Sequence, residues 1–166
     1  MKCFLNLSRK WHKKSYTRPR GYKGRKGKKM IKTRHEHTNY AMVAPFITAT
    51  NAAEGHRNFE SSGYMPLTVE KLYYNDCYGN PVYSITHYGE QNGDLMADPD
   101  MTIAFDEKNR RIIPQTYRND YMGIYQEVFR EINGKTMYSQ SLIRQLDDFL
   151  WMWLKNINNQ GFNPAV

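Results

Sequence analysis

Between His87 and Asp100 the chain concentrates side chains that can do chemistry. Glu90, Asp94, Asp98 and Asp100 supply carboxylates, His87 an imidazole and Asn92 an amide, with Tyr88 beside them. Hard cations bind where several carboxylate or carbonyl oxygens converge. Asp94, Asp98 and Asp100, with His87 as a softer ligand, are therefore the candidates for a metal or general acid/base site. The EF-hand pattern is absent: no Asp-x-Asp-x-Asp-Gly run closes on a Glu. The same residues also make good turns. Asn92-Gly93 is a strong turn dipeptide, and Asp98-Pro99-Asp100 initiates another, with side chains bonding nearby backbone amides. The sequence leaves both readings open. His35-Glu36-His37 is a weaker candidate, because two histidines at i and i+2 need further ligands to hold a metal.

Other catalytic signatures are missing. No serine sits in a Gly-x-Ser-x-Gly elbow, no Gly-rich phosphate loop of the P-loop kind occurs, and Cys77 has no base beside it in sequence. A non-catalytic role is the first expectation, with no cofactor and no assigned metal ligand. Cys3 and Cys77 form neither a disulfide framework nor a CxxC site, which points to a reduced, cytoplasmic setting. No apolar run approaches the ~18 residues of a membrane span. The first seven residues are too short and too soon basic for a signal peptide.

The strongest chemical argument is charge. Residues 1–40 hold fourteen Lys and Arg against one acid, a net +13, whereas residues 41–166 hold ten against fifteen, a net −5. Such a split reads as a basic interaction arm on a mildly acidic body, with polyanions as the favoured partners. Arg18, Arg20, Lys23, Arg25, Lys26, Lys28 and Lys29 are placed to neutralise phosphates and release counterions. Trp11, Tyr16 and Tyr22 are interleaved with them and suit stacking on bases, at ~1–3 kcal/mol each. Pro19, Gly21, Gly24 and Gly27 break any helix, and the arm is expected to be disordered on its own. A solubilising tail without a specific role is the plainer alternative. Met30 and Met42 are alternative starts to Met1.

The elements that must position these residues lie in 41–166, which reads as one α+β domain. A short N-terminal helix is expected from Ala41, with small and apolar residues continuing to Phe59. Leu67 to Tyr74 and Pro81 to Tyr88 alternate with period two around the turn cluster 75–80, as an antiparallel hairpin does. On the second run Val82, Ser84, Thr86 and Tyr88 share one face, and Tyr83, Ile85 and His87 the other. Residues 89–100 are expected as a polar loop. Strands follow at 101–105 and 111–117, the latter at an edge or bulged because Pro114 cannot donate to a ladder. Residues 125–129 suit a fifth strand or a short helix. Leu142, Ile143, Leu146, Phe149, Leu150, Trp153, Leu154 and Ile157 recur at spacings of three and four, which predicts an amphipathic helix packed on one sheet face. Ser139 or Ser141 caps its start and Gly161 follows its end. The expected sheet has four to five strands. Its tyrosines (73, 74, 78, 83, 88, 117, 121 and 125) offer either a recognition surface or core packing.

Tyr64-Met65-Pro66-Leu67-Thr68-Val69-Glu70 and the run from His87 to Met101 resemble a bacterial domain of unknown function found on plasmids, conjugative elements and phages. The resemblance spans about Gly63 to Phe129. It implies a mobile-element setting but no activity and no site residues. The first expectation is a mobile-element accessory protein that contacts nucleic acid through its arm. The alternatives are an anti-CRISPR-like inhibitor of a host defence nuclease, acting through the acidic loop, and a metal-dependent hydrolase using Asp94, Asp98, Asp100 and His87.

Overall fold

The computed structural model describes residues 22–24 and 31–165. After β1 (Tyr22–Gly24), the chain forms helix α1 (Glu36–Ala52) and then strands β2 (His56–Phe59), β3 (Leu67–Asn75), β4 (Pro81–Gln91), β5 (Asp94–Asp106), β6 (Arg111–Asn119) and β7 (Ile124–Glu127). Short strands β8 (Phe129–Ile132) and β9 (Lys135–Ser139) precede helix α2 (Gln140–Asn159). β2 to β7 make one antiparallel sheet in sequence order, and β1, β9 and β8 make a second sheet of three strands. The α+β class is as the pattern predicts. The main sheet has six strands rather than four or five, because residues 56–59 and 124–127 also pair.

Alternation decides the layering. Leu67, Val69, Tyr83, Ile85, His87, Met101, Ile103, Phe105, Ile112 and Tyr117 occupy matching register positions, so they share one face. Both helices cover that face. Tyr40 of α1 stacks on Phe105, Phe149 of α2 meets Tyr117 edge-on, and Trp153 meets His87 edge-on. Burying so many branched and aromatic side chains is the main favourable term for the fold. α2 starts where its cap is, with Ser139 Oγ accepting from the Leu142 amide at 3.3 Å. Gly161, at φ +81°, follows its end.

Three expectations need correction. The helix expected from Ala41 begins at Glu36, and it stops at Ala52, so residues 56–59 are strand rather than helix. The loop expected at 89–100 is instead the end of a long β-hairpin. Its tip is Asn92-Gly93, both at positive φ (55° and 86°), the two-residue turn that matches strand twist. Residues 98–100 lie in β5 instead of starting a turn. Pro114 does sit at a register shift, opposite Ile103, and β7 pairs β6 only from Thr116 onward.

The segment before α1 belongs to the body. Ile31 is buried in the core. Its carbonyl accepts from Arg111 Nη1 at 2.9 Å, while Arg111 Nε donates to Asp106 at 2.8 Å and the guanidinium lies 3.8 Å from Glu36. All three charged side chains are buried. Removing one partner of such a network strands the others without solvent or counter-charge. Arg111→Met should therefore lower stability by about 3–5 kcal/mol, seen as a lower urea midpoint. A midpoint within error of the parent would mean that the network contributes no net stability.

Candidate functional site

The acidic stretch does not converge. Asp98 accepts from Asn119 Nδ2 at 2.7 Å. Asp100 accepts from Ser84 Oγ at 2.8 Å and Thr86 Oγ1 at 3.1 Å. Asp94, Asn92 and Glu90 are exposed at or near the hairpin tip. His87 points to the helix side, where its Nδ1 lies 3.1 Å from the Pro66 carbonyl and its ring meets Trp153 and Phe162. Burial there holds the imidazole below its usual pKa. Among the described residues no group of three His, Cys, Asp or Glu is placed to hold a metal ion. His35 and His37 also separate: His35 stacks on Trp151, and His37 Nδ1 meets the Arg110 carbonyl.

The face of the main sheet opposite the helices carries a denser constellation. Register puts Asn58, Thr68, Thr86, Asp100, Arg118 and Tyr125 in one cross-strand row. The neighbouring row is His56, Glu70, Ser84, Thr102, Thr116 and Glu127. Tyr74 lies beside Thr102 and Tyr88 beside Thr86, so three partly exposed tyrosines (74, 88 and 125) surround the Asp100 carboxyl. Arg118 is already held, donating to Asp120 at 2.6 and 2.8 Å. Glu127 lies 3.8 Å from Arg130. Glu70 makes no ion pair with any described residue.

Electrostatics follows from this crowding. Desolvation raises the Asp100 pKa, outweighing the hydrogen bonds from Ser84 and Thr86 and the nearby Arg118 charge. Glu127 is raised by burial alone. Tyr125 is pushed up to about 12, first by desolvation and then by Glu127, Tyr74 and Asp100. Asp100, Glu127, Tyr74, Tyr88 and Tyr125 thus resist ionisation, chiefly because burial penalises their charged forms.

A basic patch lies elsewhere. Lys32, Thr33, Arg34, Arg144, Asp147 and Asp148 line a cavity of about 180 Å³ where the N-terminal segment meets α2. Its acids are engaged. Asp147 accepts from the His35 amide at 2.7 Å and from Asn39 Nδ2 at 3.1 Å, and Asp148 lies 3.3 Å from His35 Nε2. Lys32, Arg34 and Arg144 form no ion pair among the described residues.

Sequence reasoning placed Ser84, Thr86 and Tyr88 on one face but did not single out Glu70, Thr102, Thr116, Arg118 or Glu127. The period-two alternation carried the signal; the pairing of distant strands did not show in it. Of the arm candidates, Trp11, Tyr16, Arg18, Arg20, Arg25, Lys26, Lys28 and Lys29 lie outside the described residues. Tyr22 and Lys23 belong to β1, whose backbone pairs with Ser139 and Tyr138 of β9.

Residues 38–163 match the model of a family described as a domain of unknown function, DUF6908, and the chain belongs to that family. No curated protein and no solved structure matches.

A carboxyl with a raised folded pKa stabilises the fold while protonated, below its unfolded value near 3.8, and loses that contribution as pH rises through the folded value. Ionised Asp100 is thus a cost at neutral pH. Asp100→Asn keeps an acceptor for Ser84 and Thr86. It is expected to raise the melting temperature at pH 7 and to leave it unchanged at pH 3. The same change at both pH values would refute the desolvated carboxylate.

Proposed function

We propose that this member of a family without assigned activity is a non-catalytic, mobile-element accessory protein that holds the backbone of a nucleic acid. Its basic N-terminal segment, with Arg18, Arg20, Lys23, Arg25, Lys26, Lys28 and Lys29, makes the phosphate contacts. Trp11, Tyr16 and Tyr22 stack on bases. The observation that carries this reading is the continuation of positive charge onto the folded body. Lys32 and Arg34, which follow the basic segment, and Arg144 of α2 line one cavity, where the neighbouring Asp147 and Asp148 are taken up by His35 and Asn39 and pair with none of the three. Backbone phosphates need such uncompensated cations and no base-reading geometry. The resemblance of Tyr64–Glu70 and His87–Met101 to mobile-element proteins supports the setting.

The chemistry is counterion release. Each phosphate neutralised on a single strand adds about −0.7 to the slope of log K against log salt, so seven contacts from the basic segment and three from the body give a slope near −7. Binding is therefore weak and insensitive to sequence at physiological salt. The acidic open face repels phosphate and directs the strand to the basic side.

Fluorescence anisotropy with labelled oligothymidylate tests this. A chain beginning at Ile31 keeps the buried anchor of the body and is expected to lose most affinity. Charge reversal at Lys32, Arg34 and Arg144 in the full chain should flatten the salt slope by about 2. Undiminished binding by both proteins would rule the reading out.

A further inference from the structure

The open face of the main sheet has no part in phosphate binding, and its chemistry is of the opposite kind. Six strands present two aligned rows of hydroxyl, carboxyl and phenol groups on it. At their centre Asp100 lies on the floor, fixed from below by Ser84 and Thr86. Tyr74, Tyr88 and Tyr125 stand around it, each between 38% and 46% exposed. Glu70 lies on the neighbouring row, near enough to act electrostatically on Tyr88. The one arginine of the two rows is neutralised by its two-point contact with Asp120.

We propose that this face is a docking site for a cationic, arginine- or lysine-bearing segment of a partner protein. Asp100 and Glu70 provide the counter-charge, and Tyr74, Tyr88 and Tyr125 provide the walls.

Charge complementarity selects that occupant. A guanidinium or ammonium is attracted both by a carboxylate and by the negative face of an aromatic ring, and arrays of tyrosine around an acid exploit both. A phosphate-bearing ligand meets only repulsion from Glu70 and Asp100. A purely apolar partner would leave the carboxylates and hydroxyls desolvated without hydrogen bonds, which is costly. An extended basic segment instead meets acceptors along each row: Glu70, Ser84 and Thr102 on one, Asp100 on the other. The rings also suit recognition, because tyrosine brings large contact area and a hydroxyl at little entropic cost.

The test uses the full chain and an eight-residue peptide of alternating glycine and arginine, followed by amide chemical shifts at low salt. The expected result is saturable binding whose shifts concentrate on β3 to β7. Glu70→Gln with Asp100→Asn should weaken it about tenfold or more, and so should Tyr88→Ala with Tyr125→Ala. Tyr88→Phe with Tyr125→Phe should retain most affinity, because the ring faces remain. Glu54→Gln with Glu107→Gln, which removes acids in turns away from this face, should change nothing. The proposal is overturned by absence of binding at about 1 mM peptide, beyond the range of a specific weak complex. It is equally overturned if the turn variant loses as much affinity as the face variants, or if shifts scatter over all acidic residues.

Discussion

The two helices among the described residues lie on the same side of a six-stranded sheet, and that one-sidedness governs what the rest of the structure can do. A strand buries one face only if its side chains alternate, and here β3 to β6 do so in common register. Aromatic contacts fix the covered side: Phe105 under Tyr40, Tyr117 under Phe149, His87 under Trp153 and Phe162. Among the described residues no helix lies on the opposite side. Beside a buried row of Val82, Ala104 and Ile113, that side carries threonine, serine, tyrosine and carboxylates. Asp100 shows the tension in that arrangement. It is supported by two hydroxyls yet desolvated enough to resist ionisation.

Charge is distributed as separate territories. The positive one is the run of Lys and Arg in the sequence of residues 1–40, of which Lys32 and Arg34 line one cavity with Arg144. Of the negative one, Glu70, Asp100 and Glu127 stand on the open face with Arg118. Between them the Arg111–Asp106–Glu36 network and the buried Ile31 side chain attach the segment before α1 to the β5–β6 hairpin. Residues 31–40 combine two roles in consequence: Ile31 enters the core and Glu36 and Asn39 are buried, while Lys32 and Arg34 remain exposed.

The acidic stretch at 87–100 illustrates how spacing alone misleads about chemistry. Side chains at close intervals converge in a loop but diverge along an extended ribbon, where successive residues point to opposite faces. Asn92-Gly93 closes a hairpin, so Glu90 and Asp94 go to its exposed end. His87 falls on the helix side, Asp98 reaches Asn119, and Asp100 belongs to the open face. A set suited by composition to a metal becomes several unrelated sites.

What the sequence determined by itself was whatever depends on local periodicity and local chemistry. The α2 stripe from Leu142 to Ile157, its Ser139 cap and Gly161 exit, the β3–β4 hairpin, the bulge at Pro114 and the split of charge were all readable. Each is settled by residues within a few positions of one another. Tertiary structure decided the rest. Residues 56–59 and 124–127 become strands because sheet edges accept them, and α1 extends back to Glu36 because Asp147 and Arg111 meet that turn from far along the chain. Glu70, Asp100 and Tyr125 form one surface only through pairing across β3 to β7. Hydrogen bonding between distant strands has no signature in local sequence, and that is why the open face emerged only with the fold.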